Sequence, residues 1–79
     1  MGSYTQRKRF ESEHEAVEQS SAFHDPAFRI SGITPTTHVY ELEGAWWLDL
    51  TQEGALVTEA SASQPGAILP GYEFVSYSD

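Results

Sequence analysis

Cysteine is absent from this 79-residue chain, so no disulfide and no thiolate metal site can staple it. That absence fits a reducing compartment. No apolar run approaches the roughly 18 residues of a membrane helix, and no hydrophobic segment marks the start as a secretory signal. Neither a span nor a leader is expected. Positive charge is scarce: four Lys and Arg oppose twelve Asp and Glu, a net charge of −8. Arg7, Lys8 and Arg9 sit together, and from residue 10 onward the only formal cation is Arg29. So anionic a body repels nucleic acid and anionic lipid, and a charge-driven partner should be basic. The basic triplet reads as a solvated helix start or a tail rather than a nucleic-acid site.

Catalytic patterns are missing too. There is no G-x-S-x-G elbow and no glycine-rich phosphate loop. His14, His24 and His38 lie among carboxylates, but no pair has the i,i+4 spacing of a zinc helix. Paired carboxylates such as Glu41 and Glu43 have nothing visible to bury them, and acid–base catalysis needs burial or a charged neighbour. So short a chain offers little material for a ligand cleft. The expectation is a non-enzymatic protein with no metal and no cofactor.

What the chain does have is aromatic side chains, 13% of its residues. Each can bury about 150–250 Å², enough to give a small core much of its area. Residues 1–79 read as one domain that buries roughly 60% of its unfolded surface, with residues 1–9 free to fray. Residues 37–60 read as three antiparallel strands, near 37–43, 45–51 and 55–60, joined by glycine turns at Gly44 and Gly54. Glu43-Gly44 suits a two-residue hairpin that pairs Leu42 with Ala45, Tyr40 with Trp47 and Val39 with Leu48. Alternation puts Val39, Trp46, Leu48, Leu50, Ala55 and Val57 on one face, taken as the core. Tyr40, Leu42, Trp47, Asp49, Leu56 and Thr58 take the other.

Residues 3–23 read as helical, with capping-box spacing at Ser3/Gln6 and again at Ser12/Glu15. Phe10, His14, Val17 and Ser21 would form its apolar side, beside an acidic stripe of Glu11, Glu15 and Glu18. His24-Asp25-Pro26 would end it. Phe28–Ile30 reads as a short edge strand, 31–36 and 61–71 as loops, and 72–77 as a last strand. The fold expected is α+β, an N-terminal helix packed on a small antiparallel β-meander of three to five strands. A small all-β barrel with a disordered N-terminus is the alternative.

Two tryptophans in succession cannot share a sheet face. Trp47, beside Tyr40 and near Leu42 and Leu56, is the best candidate for an interaction anchor, unless the helix covers that face. In size, charge and lack of cysteine the chain resembles the small acidic inhibitors of phages and mobile elements: anti-CRISPR, anti-restriction and other DNA-mimic proteins. That compositional resemblance implies a bacterial host cytoplasm and a basic, nucleic-acid-handling target, with no direct contact to nucleic acid. The carboxylates Glu11, Glu15, Glu18, Glu41, Glu43, Asp49 and Glu59 would then stand in for phosphates, and Tyr40 and Trp47 would add apolar contact. The alternative is an assembly module that self-associates, for instance as a homodimer, through a sheet edge or the Tyr40/Trp47 face.

Overall fold

In the computed structural model, residues 2–25 and 34–79 are described. Four strands form one antiparallel sheet: β1 (Gly2–Phe10), β2 (Thr34–Leu42), β3 (Ala45–Gly54) and β4 (Glu73–Ser78). Two helices, α1 (Glu13–Phe23) and α2 (Glu59–Ala62), follow β1 and β3. The strand order is β2-β3-β1-β4, so the N-terminal strand lies in the middle. A β-α-β-β-α-β chain with this order has the split-βαβ, ferredoxin-like connectivity. The α+β class with an antiparallel sheet is as expected. The simple meander is not.

The first correction concerns residues 2–10, which form a strand and not the start of a helix. Tyr4, Gln6 and Phe10 are buried, and intervening residues are wetter. That is a period of two. Its polar members Gln6, Lys8 and the arginines hide the alternation from a hydrophobicity reading. The helix starts at the second capping site. Ser12 is its N-cap, with extended backbone and a side chain that accepts the Glu15 N–H at 3.3 Å. Glu13 and Glu15 in the first turn suit the helix dipole. The helix ends at Phe23, with His24 as C-cap, just ahead of Pro26 as read. Phe10 ends β1 and lies outside the helix, so it does not set the docking side. Ala16 and Phe23 are buried, while His14 and Val17 are exposed, so the expected Phe10–His14–Val17–Ser21 side is not the docking side.

The second correction concerns 55–60. The β2–β3 hairpin has the expected register through Leu42↔Ala45, Tyr40↔Trp47 and Val39↔Leu48. Glu43 and Gly44 both have positive φ, 53° and 76°, as a type I′ turn requires. Gly54, however, does not start a further strand. β1 already occupies the other side of β3, from Gly2↔Gly54 to Phe10↔Trp46. Residues 55–56 turn instead, and Thr58 caps the short α2 through a reciprocal pair of bonds with Ser61. Ala55, expected on the core face, is exposed. Thr34–Thr36, read as loop, belong to β2, while the edge strand expected at 28–30 lies outside the described residues.

The core splits in two, both parts on one side of the sheet. Phe10, Ala16, Phe23, Leu48 and Leu50 form the larger cluster, with Val39, Trp46, Leu69 and Tyr72 packed against it. Tyr4, Val57 and Ala62 form the smaller one, with Ala67, Ile68 and Tyr77. Val57 is thus buried, as expected, but apart from Leu48 and Leu50. Gln6 is fully buried between the clusters and fully bonded. Its amide donates to Gln52 Oε1 at 3.1 Å and to the Ala67 carbonyl at 3.2 Å, and its Oε1 accepts the Leu69 N–H at 2.8 Å. Gly2 is needed where β1 meets the 55–58 turn, because a Cβ there would collide with the Val57 carbonyl oxygen.

Candidate functional site

Both coverings of the sheet, α1 and the segment carrying α2, lie on the Leu48/Leu50 side. Among the described residues, no helix or loop covers the opposite face. In register across it run Thr36, His38, Tyr40 and Leu42 of β2, then Ala45, Trp47, Asp49, Thr51 and Glu53 of β3. Ser3, Thr5, Arg7 and Arg9 follow on β1, then Glu73, Ser76 and Ser78 on β4. The helix therefore leaves the Tyr40/Trp47 face uncovered. Leu42, near its corner, is 49% exposed.

The centre of this face is organised around Arg7. Its guanidinium lies 4.9 Å from the Trp47 ring centroid, and its Nε donates to Glu73 Oε1 at 2.6 Å. The Glu73 bond and charge raise the Arg7 pKa further above its already high value, so the cation is permanent. Tyr40 OH donates to Asp49 Oδ1 at 2.9 Å, and the His38 ring meets the Tyr40 ring edge-on at 5.2 Å. Partial burial, then the bond to Asp49, pushes the Tyr40 hydroxyl up, so it stays a neutral donor at physiological pH. Thr5 and Thr51 hydroxyls bond across the two central strands at 2.8 Å. Trp47 Nε1 is buried without a hydrogen-bond partner among the described residues. An unpaired indole N–H costs roughly 1–3 kcal/mol, so this side chain is not placed for stability alone.

Of the residues singled out from sequence, Tyr40, Trp47 and Asp49 come together here. The other carboxylates lie elsewhere. Glu11, Glu15 and Glu18 border a surface groove that Lys8 and Arg9 also line. Glu41 pairs with Trp46 in register and belongs to the covered face, Glu43 sits in the hairpin turn, and Glu59 opens α2. Arg7, His38 and Glu73 were not singled out as site residues. The period-two pattern of β1 could have placed Arg7 beside Trp47, but the basic triplet obscured it.

Among the described residues, the sheet face offers no nucleophile–base pair; Tyr40 holds Asp49 and Arg7 holds Glu73. It is suited to stacking, charge pairing and apolar contact. Among the described residues, no group of three His, Asp or Glu side chains could hold a metal ion, and no helix is long and apolar enough to cross a membrane. His14 lies 3.6 Å from Glu18, and His24 Nε2 is 3.0 Å from the Thr37 hydroxyl. No protein-family model, characterised protein or solved structure matches this chain.

Proposed function

We propose that this protein works by binding another polypeptide on the open face of its sheet, with no chemistry of its own. The observation that carries this reading is the one-sided cover of the sheet. Trp47 and Tyr40, large and only half-buried, stand with Arg7 at the centre of a face that neither α1 nor the 55–72 segment touches. Aromatic and Arg side chains surrounded by small polar ones are the usual composition of an interaction hot spot, and here Ser3, Thr5, Thr51 and Ser76 supply that surround.

The test is site-specific photo-crosslinking in living cells. Crosslinkers at Thr36 and Ser76, exposed on the two flanks of the open face, should capture polypeptide, and Trp47→Ala should abolish capture. A crosslinker at Glu18 on α1 should not. Capture from Glu18 alone would refute the reading.

A second reading, an inhibitor that fills a basic nucleic-acid groove, is supported by the outer side of α1. Glu11, Glu13, Glu15 and Glu18 are all exposed, and the helix carries no Lys or Arg. Such a groove would engage the α1 carboxylates first, since Asp49 and Glu59 lie in other parts of the fold. Glu15→Lys with Glu18→Lys should then slow association with a basic target, because steering acts at long range. A host cytoplasm as the site of action belongs to this reading.

A further inference from the structure

We infer that the occupant of the open face is a second copy of this chain, packed sheet against sheet. The inference rests on the reading of that face as a docking surface and goes further by naming the partner.

Charge is the first argument. The whole chain carries −8. The open face holds two arginines, Arg7 and Arg9, against three carboxylates, Asp49, Glu53 and Glu73, a net of −1 with His38 neutral. Half of the chain's cations thus sit on one face. An approach through the outer side of α1, where Glu11, Glu13, Glu15 and Glu18 are exposed, brings like-charged surfaces together, whereas this one is nearly neutral. The face also carries both signs close together, with a cation stacked on an aromatic ring. A two-fold contact must be self-complementary, and a patch with both donors and acceptors of charge meets that condition where an acidic patch cannot.

Size is the second argument. Strands of six to ten residues at about 3.3 Å rise, four of them about 4.8 Å apart, give roughly 500–600 Å² of flat area per copy. Two copies together reach the ~1,000 Å² that a specific interface needs. The edges are the rival route, and both are blunted. Pro35 removes a backbone donor from β2, and the pairing of β1 with β4 is broken by a register shift between Thr5 and Gln6. Face-to-face packing leaves these edges unused and covers Trp47, Tyr40 and Leu42.

Sedimentation of the full chain from 1 to 500 µM, at low and at high NaCl, tests the inference. The expected result is a reversible dimer whose affinity holds or tightens with salt, because salt screens the −8 repulsion and favours apolar burial. Arg7→Glu makes the face more anionic and should weaken the dimer at least tenfold. Ser76→Glu adds a carboxylate at an exposed flank position and should weaken it without touching the core. Trp47→Ala should do the same, and Glu18→Lys on α1 should not. Circular dichroism verifies that each variant is folded. A wild-type chain that stays monomeric throughout, or a dimer indifferent to Arg7→Glu and Ser76→Glu, would overturn the proposal. The docking reading fails separately. Crosslinks from Thr36 and Ser76 to a different protein would remove the second copy and keep the docking face, whereas no crosslink from that face would remove both.

Discussion

The Gln6 side chain joins the centre of the sheet to the segment that covers it, 63 residues away in sequence, through the Leu69 N–H. The residue is 0% exposed and its amide makes three bonds. Gln6→Leu keeps the volume but strands the Leu69 N–H away from water, while the Ala67 carbonyl keeps the Tyr4 hydroxyl as a donor at 3.0 Å. It should lower stability by about 1–3 kcal/mol, read from the urea midpoint at unchanged m-value. A midpoint close to wild type would show that water reaches the Leu69 N–H.

The two-part core makes a prediction about additivity. Leu48→Ala should cost about 2–5 kcal/mol, since Leu48 is fully buried and its cavity is lined by rigid aromatics. Val57→Ala should cost less, in keeping with its smaller side chain. Because the two residues belong to separate clusters, the double variant should equal the sum within about 0.5 kcal/mol. Had Val57 packed beside Leu48, as its alternation suggested, the two costs would not add. Chemical denaturation of the three variants decides it.

The hairpin turn carries local strain that sequence design can relieve. Glu43 holds φ at 53°, where a side chain with a Cβ is disfavoured and Asn is tolerated best. Glu43→Asn should raise stability by about 0.5–1 kcal/mol. Gly44→Ala should lower it by about 1–2 kcal/mol, and that cost is conformational, because nothing lies within 4 Å of the added Cβ. Melting temperatures should move in opposite directions for the two variants.

Why part of the fold was legible follows from these cases. The β2–β3 hairpin is written locally: alternating side chains flank a Glu-Gly pair, so both register and facing can be read. The helix cap at Ser12 is written locally as well. β1 is not. Its buried positions include Gln6, whose polarity makes sense only once Gln52, Ala67 and Leu69 are placed around it. The same long-range pairing removed the third meander strand, since β3 has two sides and β1 took the second. The candidate site was half legible for this reason. Tyr40, Trp47 and Asp49 lie within the hairpin, whereas Arg7 and Glu73 reach the face from the two ends of the chain.

Tyr72 predicts an alkaline weakness. Its hydroxyl is buried without a partner, and burial pushes its pKa to about 12. The neutral form is the one the fold accepts. The folded pKa therefore lies above the unfolded value near 10, and the stability it contributes is present below pH 10 and lost between about pH 10 and 12. Burial shifts Tyr4 in the same direction. Allowing for partial solvent screening, Tyr72 alone should account for on the order of 1–2 kcal/mol of that loss. Tyr72→Phe should flatten the stability curve over this range. A curve of unchanged slope would mean that the hydroxyl ionises as easily folded as unfolded.

The adjacent tryptophans should respond differently to truncation, and the contrast separates folding from binding. Trp46 packs against the Phe10–Leu48–Leu50 cluster beneath α1, while Trp47 lies on the open face under the Arg7 guanidinium. Trp46→Ala removes core contacts and opens a void at the helix–sheet boundary. It should cost about 2–4 kcal/mol, a large share of the stability of a domain this small. Trp47→Ala removes a half-buried ring, along with an indole N–H that has no partner among the described residues. The lost contacts and the lost penalty offset each other, so the monomer should lose no more than about 1 kcal/mol. Urea denaturation at low protein concentration, where association is negligible, measures both costs without interference from binding. Trp47→Ala should then remain folded and lose polypeptide capture on the open face, the behaviour of an anchor residue. If Trp47→Ala unfolds the monomer as readily as Trp46→Ala does, Trp47 is core, and the open face loses its central contact.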